Sequence, residues 1–75
     1  MGETTAKVES TIRELITAGD LGPGGKLPSE RTLALELSAG RTTVRLVLAK
    51  LAAEGLIRSE HGRGYFVNTE GSGRD

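Results

Sequence analysis

The stretch that decides the fold covers residues 29–55 and reads SERTLALELSAGRTTVRLVLAKLAAEG. Two helices are predicted within it, because apolar side chains recur every three or four residues in two separate runs. The first, over about residues 30–38, has Leu33 and Leu37 on one face. The second, over about residues 41–54, buries a stripe at the i, i+3, i+4 and i+7 positions, made of Val44, Val47, Leu48 and Leu51. About two residues around Gly40 join the helices, which is the spacing of a helix-turn-helix.

The ends of these two helices carry recognisable signals. Ser29 is predicted to be the N-cap of the first, because its hydroxyl oxygen accepts a hydrogen bond from an early helical N–H. Glu30 places negative charge at the positive end of the helix dipole. Gly55 fits the C′ position of the second helix, where a left-handed residue closes the last turn.

The flanking segments complete a small domain. Residues 5–18 predict a helix whose stripe is Val8, Ile12, Leu15 and Ile16. Residues 20–28 form a turn-rich connector, extended before Pro28 and anchored by Leu21 and Leu27. Residues 56–60 and 65–68 predict a β-hairpin around a glycine-containing loop. The fold class is therefore mainly α with a small antiparallel hairpin: a winged helix-turn-helix over residues 1–67, followed by a flexible tail or linker over residues 68–75.

Composition excludes several function classes. The chain has 75 residues, with 10 basic and 10 acidic side chains and no cysteine. Disulfides and thiolate metal sites are thereby excluded, and we expect neither a cofactor nor a metal. One histidine and a small core leave no nucleophile–base constellation, so we expect no enzyme. Without an apolar run of ~18 residues or a signal peptide, we expect no membrane partner and a cytoplasmic location.

The zero net charge conceals an uneven distribution. Residues 1–40 hold four basic and six acidic side chains, a net charge of −2. Residues 41–64 hold five basic and two acidic side chains, a net charge of +3. Such a local basic region matters more for a reader of nucleic acid than the total charge.

The outer face of the second helix in residues 29–55 has the composition of a major-groove reader. At about 100° per residue, Arg41, Arg45, Thr42 and Ala49 fall away from the buried stripe. Arginine binds guanine O6 and N7 bidentately, and threonine hydroxyls and first-turn N–H groups hold phosphates. The alternative is that these arginines form an ordinary solvated face, a reading disfavoured by the helix-turn-helix spacing and the basic hairpin.

The hairpin loop adds a second basic element. His61 and Arg63 stand beside Gly62 and Gly64, whose backbones allow a tight turn close to a sugar-phosphate ridge. We expect the two basic side chains to enter a minor groove. Glycine is also common in tight hairpin loops for conformational reasons, so the loop is a weaker signal than the helix.

Four ordered blocks resemble one known family. LPSER at residues 27–31, RTTVR at 41–45, LAAEGLI at 51–57 and HGRGYFV at 61–67 are similar to the DNA-binding domain of GntR-type bacterial transcriptional regulators. The resemblance covers about residues 7–67. It implies a winged helix-turn-helix that binds double-stranded operator DNA as a homodimer, in a transcriptional regulator of the repressor type. It also implies a larger C-terminal domain that binds a small-molecule effector and dimerises.

The resemblance also assigns residues to DNA. The Pro-Ser-Glu-Arg block implies that Arg31 contacts DNA. Without the resemblance, Arg31 would be interpreted as an ordinary solvated charge. The turn from Ser29 to Arg31 is expected to bind phosphate. The recognition-helix block implies contacts by Arg41, Thr42, Thr43 and Arg45. The wing block implies contacts by His61 and Gly62, to which the hairpin loop adds Arg63.

Two departures from the family pattern stand out. Ala39 and Gly40 occupy positions where Val and Ser are usual, and glycine caps a helix with a loss of only a few tenths of a kcal/mol. Leu35 and Leu46 stand where charged residues are commoner. They are interpreted either as ordinary exposed leucines or, for Leu46, as a contact with a thymine methyl group. A third interpretation makes both leucines the contacts of a winged-helix module that binds protein and not DNA.

Overall fold

The computed structural model describes residues 2–19, 21 and 23–68. Its elements are helix α1 (Gly2–Ala18), a 3-10 turn (Pro23–Gly25), helices α2 (Glu30–Leu37) and α3 (Arg41–Ala53), and strands β1 (Ile57–Glu60) and β2 (Gly64–Val67). The predicted winged helix-turn-helix is confirmed, with α1 beginning earlier than expected and a 3-10 turn added to the connector. The predicted tail, apart from Asn68, lies outside the described residues.

The core collects the predicted stripes of all three helices. Leu33 from α2 and Ile57 from β1 are 1% exposed. Around them pack the fully or almost fully buried side chains Val8, Ile12, Leu27, Val44, Val47, Leu48 and Leu51. Burying one such side chain contributes roughly 1.5–3 kcal/mol to the stability of the folded state. Packing of this cluster therefore holds α3 in a fixed position against the other two helices and β1.

The wing is a two-stranded antiparallel hairpin tied to the connector. Arg58 pairs with Phe66 and Ser59 with Tyr65 in its register. The connector joins its edge through a bridge between Lys26 and Phe66, and the Leu27 amide donates to the Tyr65 carbonyl at 2.9 Å. The extended segment predicted before Pro28 is therefore confirmed, and it seats buried Leu27 beneath the wing.

The turn between α2 and α3 differs in detail from the prediction. The reversal occurs at Ser38, which has a left-handed φ of 53°, and not at the Ala39-Gly40 pair. The Ala39 amide then donates to the Ala34 carbonyl at 3.0 Å, which closes the last turn of α2. Gly40 is the N-cap of α3 and supplies no side-chain hydrogen bond there. Ala39, at the position where valine is usual in the family pattern, is partly buried and packs against the core.

A cluster of ion pairs among Glu9, Arg13, Lys50 and Glu54, which we call the clasp, links α1 to the C-terminal end of α3. Glu9 contacts both Arg13, at 2.8 Å, and Lys50, at 3.1 Å. Arg13 also reaches Glu54 at 2.9 Å. Within the described part of the chain, no helix has both the length and the hydropathy needed to span a membrane.

Candidate nucleic-acid interface

Helix α3 presents a continuous exposed face opposite its buried stripe. Arg41, Thr42, Arg45 and Ala49 are exposed, and Thr43 is half-buried at the edge. Leu46 lies on the same face with 63% of its surface exposed. The core side chains hold the helix from behind, so the face expected from the helical repeat is the one that solvent reaches.

The arginines of this face are held by a carboxylate from α2. Nη2 of Arg45 lies 3.2 Å from Oε1 of Glu30, and Nη2 of Arg41 lies 3.9 Å from the same oxygen. The hydrogen bonds that Arg45 donates to Glu30, followed by the negative charge of that carboxylate, raise the pKa of Arg45, with a smaller contribution from Tyr65. Sequence reasoning assigned Glu30 to the helix dipole and missed this contact, since no local pattern relates residues on two different helices.

The start of α2 places Ser29 and Arg31 beside that carboxylate. The Ser29 hydroxyl accepts from the Thr32 amide at 3.1 Å, so the predicted N-cap is confirmed. It also donates to the Thr32 hydroxyl at 3.1 Å. Arg31 is exposed, and no described residue forms an ion pair with it. The Ser29 hydroxyl is thus engaged in capping α2, while the Arg31 side chain is exposed to solvent.

The wing loop carries its three predicted residues at the surface. His61, Gly62 and Arg63 are all exposed, and Gly62 takes a left-handed φ of 76° to make the turn. The Arg63 guanidinium is folded back, 5.7 Å from the centroid of the Phe66 ring and 3.7 Å from Glu60. The Arg63 side chain therefore lies along the hairpin, whereas His61 is exposed in the loop.

The wing carries a further arginine that sequence reasoning did not single out. Arg58 donates to Glu60 at 2.8 Å and to the Val67 carbonyl at 3.1 Å. Its guanidinium also lies 5.5 Å from the Phe66 centroid. These contacts mark Arg58 as a brace of the hairpin. Among residues 2–19, 21 and 23–68, no group of three or more His, Cys, Asp or Glu side chains is arranged to hold a metal ion.

The family model described as "Bacterial regulatory proteins, gntR family" matches residues 4–67. The chain belongs to the gntR family. Its gntR relatives include the putative L-lactate dehydrogenase operon regulatory protein of Escherichia coli, 43% identical over 61 residues, which are 81% of this chain and 24% of that protein. The repressor NanR of Klebsiella aerogenes is 42% identical over 55 residues, which are 73% of this chain and 21% of that protein.

Solved structures of gntR regulators share the fold. The DNA-binding domain of AraR in complex with operator ORE1 aligns with a TM-score of 0.77 at 33% identity, over 85% of this chain and 78% of that one. A gntR-family regulator from Listeria monocytogenes aligns with a TM-score of 0.75 at 28% identity, over 84% of this chain and 55% of that one. The chain spans about a quarter of the length of the curated relatives it matches. Its winged helix is that of gntR DNA-binding domains.

Proposed function

We propose that this gntR domain binds double-stranded operator DNA in a sequence-specific manner, as the DNA-binding part of a transcriptional repressor. The observation that carries the proposal is the exposed α3 face, where Arg41 and Arg45 stand together beside the N-terminus of α2. The operator complexes of the AraR domain support it, because the same fold binds DNA there. Repression is inferred from the relatives NanR and MngR, both named as repressors.

In the proposed mechanism, α3 enters the major groove with its first two turns. Arg45 reads a guanine through O6 and N7, and Arg41 contacts a neighbouring base or phosphate. Thr42, Thr43 and the turn from Ser29 to Arg31 hold phosphates and so fix the register of the helix. The wing residues His61, Gly62 and Arg63 contact the adjacent minor groove.

The regulator is proposed to act as a homodimer that reads two half-sites about one helical turn apart. Dimerisation and the binding of a small-molecule effector belong, in this proposal, to a domain other than the one described. A single domain then binds ~10²–10⁴-fold more weakly than the dimer, because the effective concentration of its partner is lost. The bacterial chromosome is in the cytoplasm, so the proposed task implies that location. We assign no enzymatic activity and no cofactor.

The deciding experiment is selection of bound sequences from a random duplex pool at low salt, followed by amide-shift mapping with the enriched duplex. We expect one enriched half-site and shifts concentrated in residues 41–49 and 61–63. A duplex of the same length and scrambled sequence is the control and should shift the same amides less. Absence of enrichment would overturn sequence-specific binding. If no amide shifted on adding any duplex either, a protein-binding module that uses Leu35 and Leu46 would be favoured.

A further inference from the structure

The outward face of α3 has an uncharged central strip. We define the methyl strip as Thr42, Leu46 and Ala49, which all lie within about 60° of one another on the helix and point away from the core. Each of the three ends in or carries a methyl group. Leu46 is the largest of them and is 63% exposed.

The charges on either side of the methyl strip are drawn away from it. On one side, Arg45 leans toward α2, where Glu30 receives its guanidinium at 3.2 Å. On the other side, Lys50 reaches toward α1, where its Nζ lies 3.1 Å from Glu9. Neither basic side chain therefore covers Leu46. The surface that faces outward along the middle of the helix is apolar, although its borders are basic.

In a major groove, Leu46 at the centre of this strip faces the base edges, while Thr42 at its start remains within reach of a phosphate. Thymine is the base that presents an apolar group there, its C5 methyl, while the others present polar donors and acceptors. We infer that Leu46 is a further specificity-determining residue, which reads a thymine by apolar contact with the C5 methyl group. The inference rests on the proposed function, because it needs α3 to occupy the major groove.

Leu35 supplies the matched comparison. It is even more exposed, at 72%, but it lies on α2 and not on the α3 face. If apolar exposure alone governed the behaviour of these leucines, both would respond alike to a change in the DNA. The inference requires that Leu46 respond and Leu35 not.

The experiment removes one methyl group from the DNA at a time. Each thymine of the duplex enriched from a random pool is replaced singly by deoxyuridine, which keeps the base-pairing edge and lacks the C5 methyl. Affinities of the wild-type chain, Leu46→Ala, Leu46→Met and Leu35→Ala are measured by fluorescence anisotropy. Folding of each variant is checked by circular dichroism.

At one or two thymines, we expect deoxyuridine to weaken the wild-type chain about three- to five-fold, the effect of one buried methyl group. Leu46→Ala should lose this penalty at the same positions, while Leu46→Met and Leu35→Ala should keep it. An unchanged penalty in Leu46→Ala, no penalty at any thymine, or a selected half-site without thymine would each overturn the inference while leaving the proposed function intact. Failure to enrich any sequence would overturn both.

Discussion

The Glu30 carboxylate, in the first turn of α2, lies 3.2 Å from the guanidinium of Arg45, in the second turn of α3. Glu30 is well covered, with 21% of its side chain exposed, whereas Arg45 is 60% exposed. Solvent therefore reaches the donor more readily than the acceptor. The pair orients the proposed base-reading arginine and reduces the positive potential of the face that we propose to meet DNA.

Removing the negative charge of Glu30 is expected to strengthen binding to DNA of any sequence and to weaken discrimination between sequences. Glu30→Gln should raise affinity for random duplex DNA about three- to ten-fold, because one repulsive charge near the phosphates is lost. The slope of log affinity against log salt should steepen by up to about one, since Arg45 becomes available to phosphate. Titrations between 50 and 200 mM salt measure both quantities. Glu36→Gln, which removes an exposed charge elsewhere on α2, is the control. Equal effects of the two substitutions would refute a specific role for Glu30.

Arg45, in the second turn of α3, and Arg31, in the first turn of α2, should separate base reading from phosphate contact. Arg45→Ala should relax discrimination by ~1–3 kcal/mol at one base pair, since a bidentate contact to guanine is lost. Arg31→Ala should weaken every sequence by a similar factor and reduce the salt slope by about one. Competition binding against a set of single base-pair variants distinguishes these patterns. A uniform loss for Arg45→Ala would identify it as a phosphate contact and contradict the assignment.

The fold followed from the sequence because its signals are local. The stripe from Val44 to Leu51, the Ser29 cap and the left-handed Gly55 each depend on residues within one or two turns. The contacts that shape the site are not local. Glu30 meets Arg45 across the junction of two helices, and Arg63 folds onto Phe66 across a hairpin. Helical periodicity identifies which face is outward, but it does not determine which charge on a second element lies beside it.

The clasp between α1 and α3 should make stability depend on pH in the acid range. Hydrogen bonds from Arg13 and then from Lys50 hold the pKa of Glu9 below its ordinary value of 4.5. The unfolded chain consequently binds this proton more readily. The stabilisation from Glu9 is complete well above pH 4.5 and is lost as the pH falls through the lower folded pKa.

Urea midpoints measured from neutral pH into this acid range test the dependence. Glu9→Gln should be less stable than the wild-type chain at neutral pH, and the difference should shrink as the pH falls. Glu14→Gln removes an exposed carboxylate from the same helix and should leave the profile parallel to the wild type. A constant difference between Glu9→Gln and the wild-type chain at every pH would exclude the clasp as its cause.

The turn between α2 and α3 stores backbone strain that a single substitution should relieve. Ser38 has a φ of 53°, a region that costs L-residues roughly 1–2 kcal/mol and costs glycine little. Ser38→Gly should therefore raise the free energy of unfolding by about 0.5–1 kcal/mol after the entropy of the unfolded glycine is subtracted.

Gly55, which follows α3 and has a φ of 84°, provides the reverse test, because a Cβ there would meet no atom within 4 Å. Gly55→Ala should lower stability by about 1 kcal/mol through backbone conformation alone, without a steric clash. Thermal unfolding resolves both changes, because 1 kcal/mol shifts the midpoint of a domain this small by about 4–8 °C. Destabilisation by Ser38→Gly would mean that the serine side chain contributes more to the turn than its backbone strain costs.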